Sequence, residues 1–408
     1  MNKGYVGALL AFVGFVTATA SQAAVHRVYP GQSIQGAIDA ASPGDTVVVE
    51  PGIYQEVDNG RYGLRIQQDN IRLIGKVKKG QGDAGKVRLL QNEDQETGVY
   101  AAPSGCDYDV QDDTEEGQEC RSRELQGFYI RGFSVEEFPV NGIQTRWVND
   151  FEFVRNASVN NLNNGIYPTL SANGLVRNNE SYGSLDTAMW VAGSENVRVI
   201  GNKLHSSVIG FEITVSNEVQ VTQNEMYNNV VGVGLFHPNG AGNPPLPVMA
   251  NWVIEQNDIY DNNLYPNPAP ENTFQSLLPS GIGVLAAGVS DHVIAKNNVE
   301  DNDYVGIALL GWCTALDGSP RACDFSKPDL GLKWPPQANN NLISQNYLSG
   351  NGGAGGGPLP PVDLLYGQPV EQALMLDTSG NCYRKNKPRN GFTYFSFEPD
   401  GELPTDGC

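Results

Sequence analysis

From residue 126 onward, short apolar runs alternate with polar residues and return at a nearly constant interval. The inward apolar residues follow small ones: Gly142-Ile143, Gly165-Ile166, Ala188-Met189, Gly210-Phe211, Gly232-Val233, Gly281-Ile282 and Gly306-Ile307. The early spacings are 23, 23, 22 and 22 residues. Asn156, Asn179, Asn202, Asn224, Asn257, Asn297 and Asn346 form a parallel series whose first spacings are 23, 23 and 22. A period near 22 residues built from β-prone runs is one turn of a stacked solenoid. Three short strands and three corners fill such a turn, so the pattern predicts an all-β, right-handed parallel β-helix. The asparagines fit corners whose amides bond the turns above and below.

The regular coils are expected over residues 126–351, less regular coils over 57–125, and a C-terminal cap over 352–408. Ser33 can N-cap a short helix carrying Ile34, Ala37, Ile38 and Ala41, which would cover the open end of the core. The asparagine intervals then widen to 33, 40 and 49 residues. The added segments, 237–250, 263–280 and 311–338, are where loops on a repeat scaffold carry function. The first and third follow equivalent strands and should wall one side of the solenoid.

The N-terminus changes the cellular picture. Met1, Asn2 and Lys3 precede an apolar run from Tyr5 to Ala20, then small residues. This pattern predicts a signal peptide over 1–23, a single mature domain over 24–408, and a periplasmic or secreted location. No later segment reaches about 18 consecutive apolar residues, so no membrane span is expected. The six cysteines fall into local pairs: Cys106 with Cys120, Cys313 with Cys323, and Cys382 with Cys408. In an exported chain these are expected disulfides.

Charge narrows the partners. Lys plus Arg number 26 against 46 Asp plus Glu, a net charge of −20. Nucleic acid is a poor partner for such a chain. Between Leu204 and Ala295 there is no Lys or Arg but there are eight acids, while cations gather over Lys76–Arg88 and Arg384–Arg389. A monomer is expected.

Strand side chains alternate, so the outward position of each repeat is the residue between two inward apolar ones. This gives the row Gln144, Tyr167, Trp190, Glu212, Gly234, Gly283 and Ala308. Tyr167 and Trp190 are expected to offer ring faces to a sugar chain, with Gln144 and Arg146 beside them. Asp186 lies near the corner before Trp190 and can approach Glu212. Such a pair suits acid–base chemistry or a Ca²⁺ ion. His237 opens the first insertion and is a candidate general base. His205 and His292 lie in no recognisable motif. No His-His-Asp triad, Gly-x-Ser-x-Gly elbow or phosphate-binding loop is present.

The opening order from Ile34 to Tyr54 resembles the start of many pectin-lyase-like β-helix proteins. The phrases Asn164-Gly165-Ile166-Tyr167-Pro168, Gly183 to Val191, Gly210-Phe211-Glu212-Ile213 and Gly232 to Phe236 resemble the exported parallel β-helix repeat-containing proteins of Gram-negative bacteria. Tyr167, Asp186 and Glu212 match that pattern; Trp190 stands where it has Tyr, and Thr214 or Val215 where it has a second Glu. The resemblance implies the fold, export, the Tyr167/Asp186/Glu212 patch and a cytochrome c-like partner. It names no reaction. More distantly the chain resembles carbohydrate-active β-helices and β-helix accessory proteins of copper-enzyme maturation. Lyases of this fold use an Arg or Lys near the abstracted proton, which leaves Arg146, Arg177, Arg198 and Lys203. The Asp-Pro-His-Asp motif of alginate epimerases and the paired Asp of polygalacturonases are absent. The sequence therefore points to binding or processing of a polysaccharide by a lyase, epimerase or hydrolase route. The alternative is a non-catalytic periplasmic scaffold for a redox or metal-delivery partner.

Overall fold

The computed structural model describes residues 23–408, apart from 58, 93, 113, 238–248, 317–336, 355–359 and 389–392. Most of the signal-peptide segment, Cys323, and most of the first and third insertions lie outside the described residues.

The chain is a right-handed parallel β-helix. Sheet A runs from Val25–Val28 to Cys382–Arg384 and has 12 strands among the described residues. Sheet B, from Gly52–Tyr54 to Lys387–Pro388, and sheet C, from Tyr62–Ile66 to Tyr394–Ser396, have 11 each. Each strand pairs in parallel with its counterpart one coil away. On sheet C the inward register Ile143–Ile166–Met189–Phe211–Val233–Val284–Ile307–Leu364 is unbroken. These side chains are fully buried, each contributing about 1.5–3 kcal/mol of apolar burial. The helix Ile34–Asp39 packs on the first strands, and Ser33 caps it by accepting from Gly36 N–H.

The seven asparagines sit where sheet A turns into sheet B and are at most 3% exposed. Asn202 shows the bonding. Its N–H and its Nδ2 both donate to Asn224 Oδ1 at 2.9 Å, and Nδ2 also donates to Val176 O at 3.0 Å. The residue before each asparagine has a left-handed φ, such as 54° at Arg155 and 58° at Gln223, which turns the chain sharply. A second ladder, absent from the sequence reading, lines the corner from sheet B to sheet C through Asn161, Ser184, Ser207, Asn229, Asn262, Asn302 and Asn351. A third, through Ser171, Ser194, Ser216, His292, Asn341 and Asn381, lines the return from sheet C to sheet A.

One register differs from expectation. Val231 pairs with Ile282, so Gly234 faces Leu285, and Leu285, not Gly283, occupies the outward row. The small residue of that repeat is Gly283, since the strand begins two residues later than the Gly281-Ile282 phrase suggests. The outward row of sheet C thus turns apolar through Leu285, Ala308 and Leu365. With Phe236, Leu310 and Trp312 it forms a second hydrophobic cluster outside the solenoid. The 263–280 insertion covers it: Phe274 packs on Phe236 at 5.6 Å and on Trp312 at 5.9 Å between ring centroids. Trp312 begins a helix, Trp312–Leu316, that closes the same face.

At the other end, the acidic excursion folds over the early coils. Cys106 and Cys120 are bridged, as are Cys382 and Cys408; Cys313 is also disulfide-bonded.

Candidate functional site

The face with most of the sequence candidates is the outer surface of sheet C, and the structure sorts them. Arg146 is 6% exposed, and its guanidinium donates to the carbonyls of Tyr108 and Val110. It holds the acidic excursion, as do the Arg65 to Asp107 bond at 2.8 Å and the Trp147 Nε1 to Asp112 bond at 2.9 Å. Gln144 is 2% exposed and accepts from Asn141 Nδ2. Arg146 is therefore corrected from an open ligand contact to a docking group for the excursion, and Gln144 to a buried group bonded within its own strand: a covered strand face must satisfy its own polar atoms.

The expected aromatic platform is corrected too. Tyr167 and Trp190 stack on each other, with ring centroids 4.6 Å apart and planes 12° from parallel. Rings on adjacent coils lie face to face along the solenoid axis, so each covers one face of the other. Trp190 is 6% exposed and its Nε1 donates to Thr214 Oγ1 at 3.0 Å. Tyr167 is half-buried.

The two acids do come together. Asp186 ends the corner before the strand Thr187–Ala192, and Glu212 lies on the next coil, opposite Trp190. Thr187 Oγ1 bridges them, 3.2 Å from Asp186 Oδ1 and 2.7 Å from Glu212 Oε2. One hydroxyl carries one proton. Both contacts are satisfied when a protonated Glu212 donates to Thr187 and Thr187 donates to an ionised Asp186. Burial agrees with this assignment. It pushes Asp186 up to about 6, opposed by hydrogen bonds from Gln275 and Thr187. Burial, and then the charge of Asp186, pushes Glu212 well above the usual carboxylate range. The pair titrates as a unit, and its two environments separate the roles of acid and base.

Gln275 is a residue that sequence reasoning missed. It lies on the second insertion, 89 positions from Asp186, and its Nε2 donates to Asp186 Oδ1 at 2.7 Å. Asp186 opens onto a cleft of about 290 Å³ between the sheet B to sheet C corner and that insertion, bordered by Leu162, Pro270 and Thr273.

His237 does not join this pair; among the described residues no hydrogen bond links it to either acid. It is 6% exposed, with Nε2 2.7 Å from His292 Nε2. His292 Nδ1 accepts from Trp252 N–H at 3.2 Å, and the two rings stack at 4.2 Å. Nδ1 of His292 is thus unprotonated, so a neutral His292 carries its proton on Nε2 and donates to His237. Burial lowers His237 to about 3 and, with the neighbouring His237, lowers His292 well below the imidazole range. The general-base role is corrected: a group so hard to protonate is a weak base, and this pair is a corner rung.

A family model described as periplasmic copper-binding protein (NosD) matches residues 97–276. Among solved structures, the chain resembles the A-module of mannuronan C-5 epimerase AlgE4 from Azotobacter vinelandii at 13% identity and TM-score 0.53, covering 91% of this chain and 93% of that one. The AlgE6 A-module of the same organism gives 16% identity and TM-score 0.50, covering 89% and 92%. At such identities the likeness is one of fold. No curated protein matches.

The family description names copper. Among the described residues there is no group of three or more His, Cys, Asp or Glu side chains able to hold a metal ion. The best donors are His237 and His292. Their Nε2 atoms already meet at hydrogen-bond distance, His292 Nδ1 is taken, and no further side-chain ligand joins them. This donor set does not fit copper. Coil geometry, register and these likenesses agree on the fold: the chain is a right-handed parallel β-helix, and the family model that matches residues 97–276 describes a periplasmic protein.

Proposed function

We propose that this protein binds or processes a polysaccharide at the cleft beside Asp186, with Asp186 and Glu212 as its acid–base pair. The observation that carries the reading is the pair itself: two carboxyls bridged by one hydroxyl and pushed to different proton affinities, of which Asp186 lines a cleft of about 290 Å³ and Glu212 lies buried behind it. Near neutral pH Asp186 can accept a proton while Glu212 holds one, which is the division of labour that glycan chemistry uses. The exposed Leu162 at the cleft wall supplies apolar contact for sugar C–H groups. The 263–280 insertion positions the acid through Gln275.

The test is a glycan panel with product analysis, run with and without Ca²⁺. Hydrolysis adds water to the product, elimination leaves an unsaturated sugar, and epimerisation conserves mass. Asp186→Asn and Glu212→Gln are expected to lose turnover by about 10²-fold or more while retaining glycan binding. If they lose only Ca²⁺-dependent binding, the acids hold an ion instead. No binding and no turnover on any glycan removes the reading. The second reading, a non-catalytic scaffold for a redox or metal-delivery partner, rests on the closure of sheet C, where Leu285, Ala308 and Leu365 lie under loops at no more than 7% exposure. A cytochrome c-like protein that binds the mature chain while every glycan fails would favour it.

A further inference from the structure

A larger groove lies elsewhere, on the corner where sheet A turns into sheet B. It has a volume of about 830 Å³ and is lined by Lys76, Lys79, Lys86, Arg131, Arg155 and Lys203. Glu180 is the one acid among the lining residues. This inverts the balance of a chain that carries 46 acids against 26 Lys plus Arg. Lys76 pairs with Glu50 at 2.5 Å and Lys203 with Glu225 at 3.3 Å. Lys79, Arg131 and Arg155 are exposed and make no ion pair among the described residues.

The cations are spread along the solenoid axis. Arg131 ends one sheet A strand and Lys76, Arg155 and Lys203 follow three others, all within a run of five consecutive strands. Coils rise about 4.8 Å each, so the charges extend over about 19 Å. One small anion could meet only one or two of them. A chain with repeated negative charges can meet all. The floor is low between the cations, because Gly132 and Gly201 occupy left-handed corner positions (φ 77° and 66°) and present no side chain. The segment Lys76–Lys86 walls one end and places Val77, 58% exposed, against the groove.

We infer that this corner groove binds a carboxylated polysaccharide strand lying along the solenoid axis. The carboxylates would meet the cations coil by coil, and sugar C–H faces would lie on Val77 and the glycine floor. The net charge of −20 argues against nucleic acid, whose denser phosphates would extend past the groove onto acidic surface. The site is separate from the Asp186 cleft and does not depend on that reading.

The test is fluorescence anisotropy of a labelled oligogalacturonate with the mature protein. Binding is expected, and it should weaken as salt rises from about 0.1 M to about 1 M, where the screening length falls from about 10 Å to about 3 Å. The double variant Arg131→Gln/Arg155→Gln should weaken it roughly tenfold. Its melting point should not change, because both side chains are exposed and unpaired. Arg198→Gln, outside the groove, should bind as wild type. An uncharged cello-oligosaccharide should not bind. The inference fails if oligogalacturonate does not bind at low salt, if the double variant binds equally well, if Arg198→Gln loses as much affinity, or if single-stranded DNA binds as tightly as the glycan.

Discussion

Each ladder asparagine meets three requirements of its corner at once. It accepts from the coil before it and donates to two carbonyl oxygens, so truncation leaves buried polar atoms on neighbouring coils unpaired. Asn202→Ala is expected to destabilise the protein by about 1–3 kcal/mol, read as a fall in denaturant midpoint with the m-value unchanged. Asp186 acts in the opposite sense. Its folded form holds its proton more tightly than the unfolded chain does, so its contribution to stability is lost as pH rises from 3.8 to about 6. Asp186→Asn should therefore be more stable than wild type at pH 7, and the two should converge near pH 4 in parallel denaturation series. Asp45 acts on the acid limb. A hydrogen bond to His26, then the N–H groups of Ser42 and Ala24, holds it at about 2, so its contribution is lost as pH falls from 3.8 toward 2. A wild-type profile without any fall between pH 4 and 6 would contradict the burial assigned to Asp186.

Insertions decide what the regular strands can do. The outward row of sheet C would be an exposed apolar stripe without the second insertion and the Trp312–Leu316 helix, and such stripes invite association. Phe236, 2% exposed, joins the two covers through Phe274 and Trp312. Phe236→Ala should cost about 3–5 kcal/mol and increase binding of a hydrophobic dye, measured by calorimetry and fluorescence. Gln275→Ala tests the polar side of the same insertion. It removes the hydrogen bond that lowers Asp186, so the Asp186 carboxyl should titrate at higher pH by ¹³C NMR.

A solenoid is held by neighbour contacts, so its ends matter to the whole molecule. The Cys382–Cys408 bridge ties the last residue back to the final strand of sheet A, closing a sequence separation of 26. Reducing it, or making Cys408→Ser, should lower stability by about 2–4 kcal/mol. Unfolding is expected to begin at the C-terminal coils, seen as early loss of hydrogen-exchange protection at Cys382–Arg384 before protection falls at Phe211.

The coil period, the three-sheet architecture, the asparagine corners and two of the cysteine pairs were readable from spacing alone. They depend on local alternation and on contacts that repeat at a fixed interval. Asp186 and Glu212 were readable as a pair for the same reason, because they sit one coil apart on a known register. Their environment was not. Gln275 reaches Asp186 from 89 residues away, and no periodicity links an insertion to the face it covers. Trp190 and Arg146 occupy outward positions as alternation requires, yet they are buried, because outward means exposed only where nothing folds over the strand. The shift at Gly281 arose where an irregular insertion interrupted the count. His237 met His292 only after that insertion and the return to sheet A brought two corners together. Direction along a strand is a local property of the chain; burial, proton affinity and ligand access depend on whatever else packs against it.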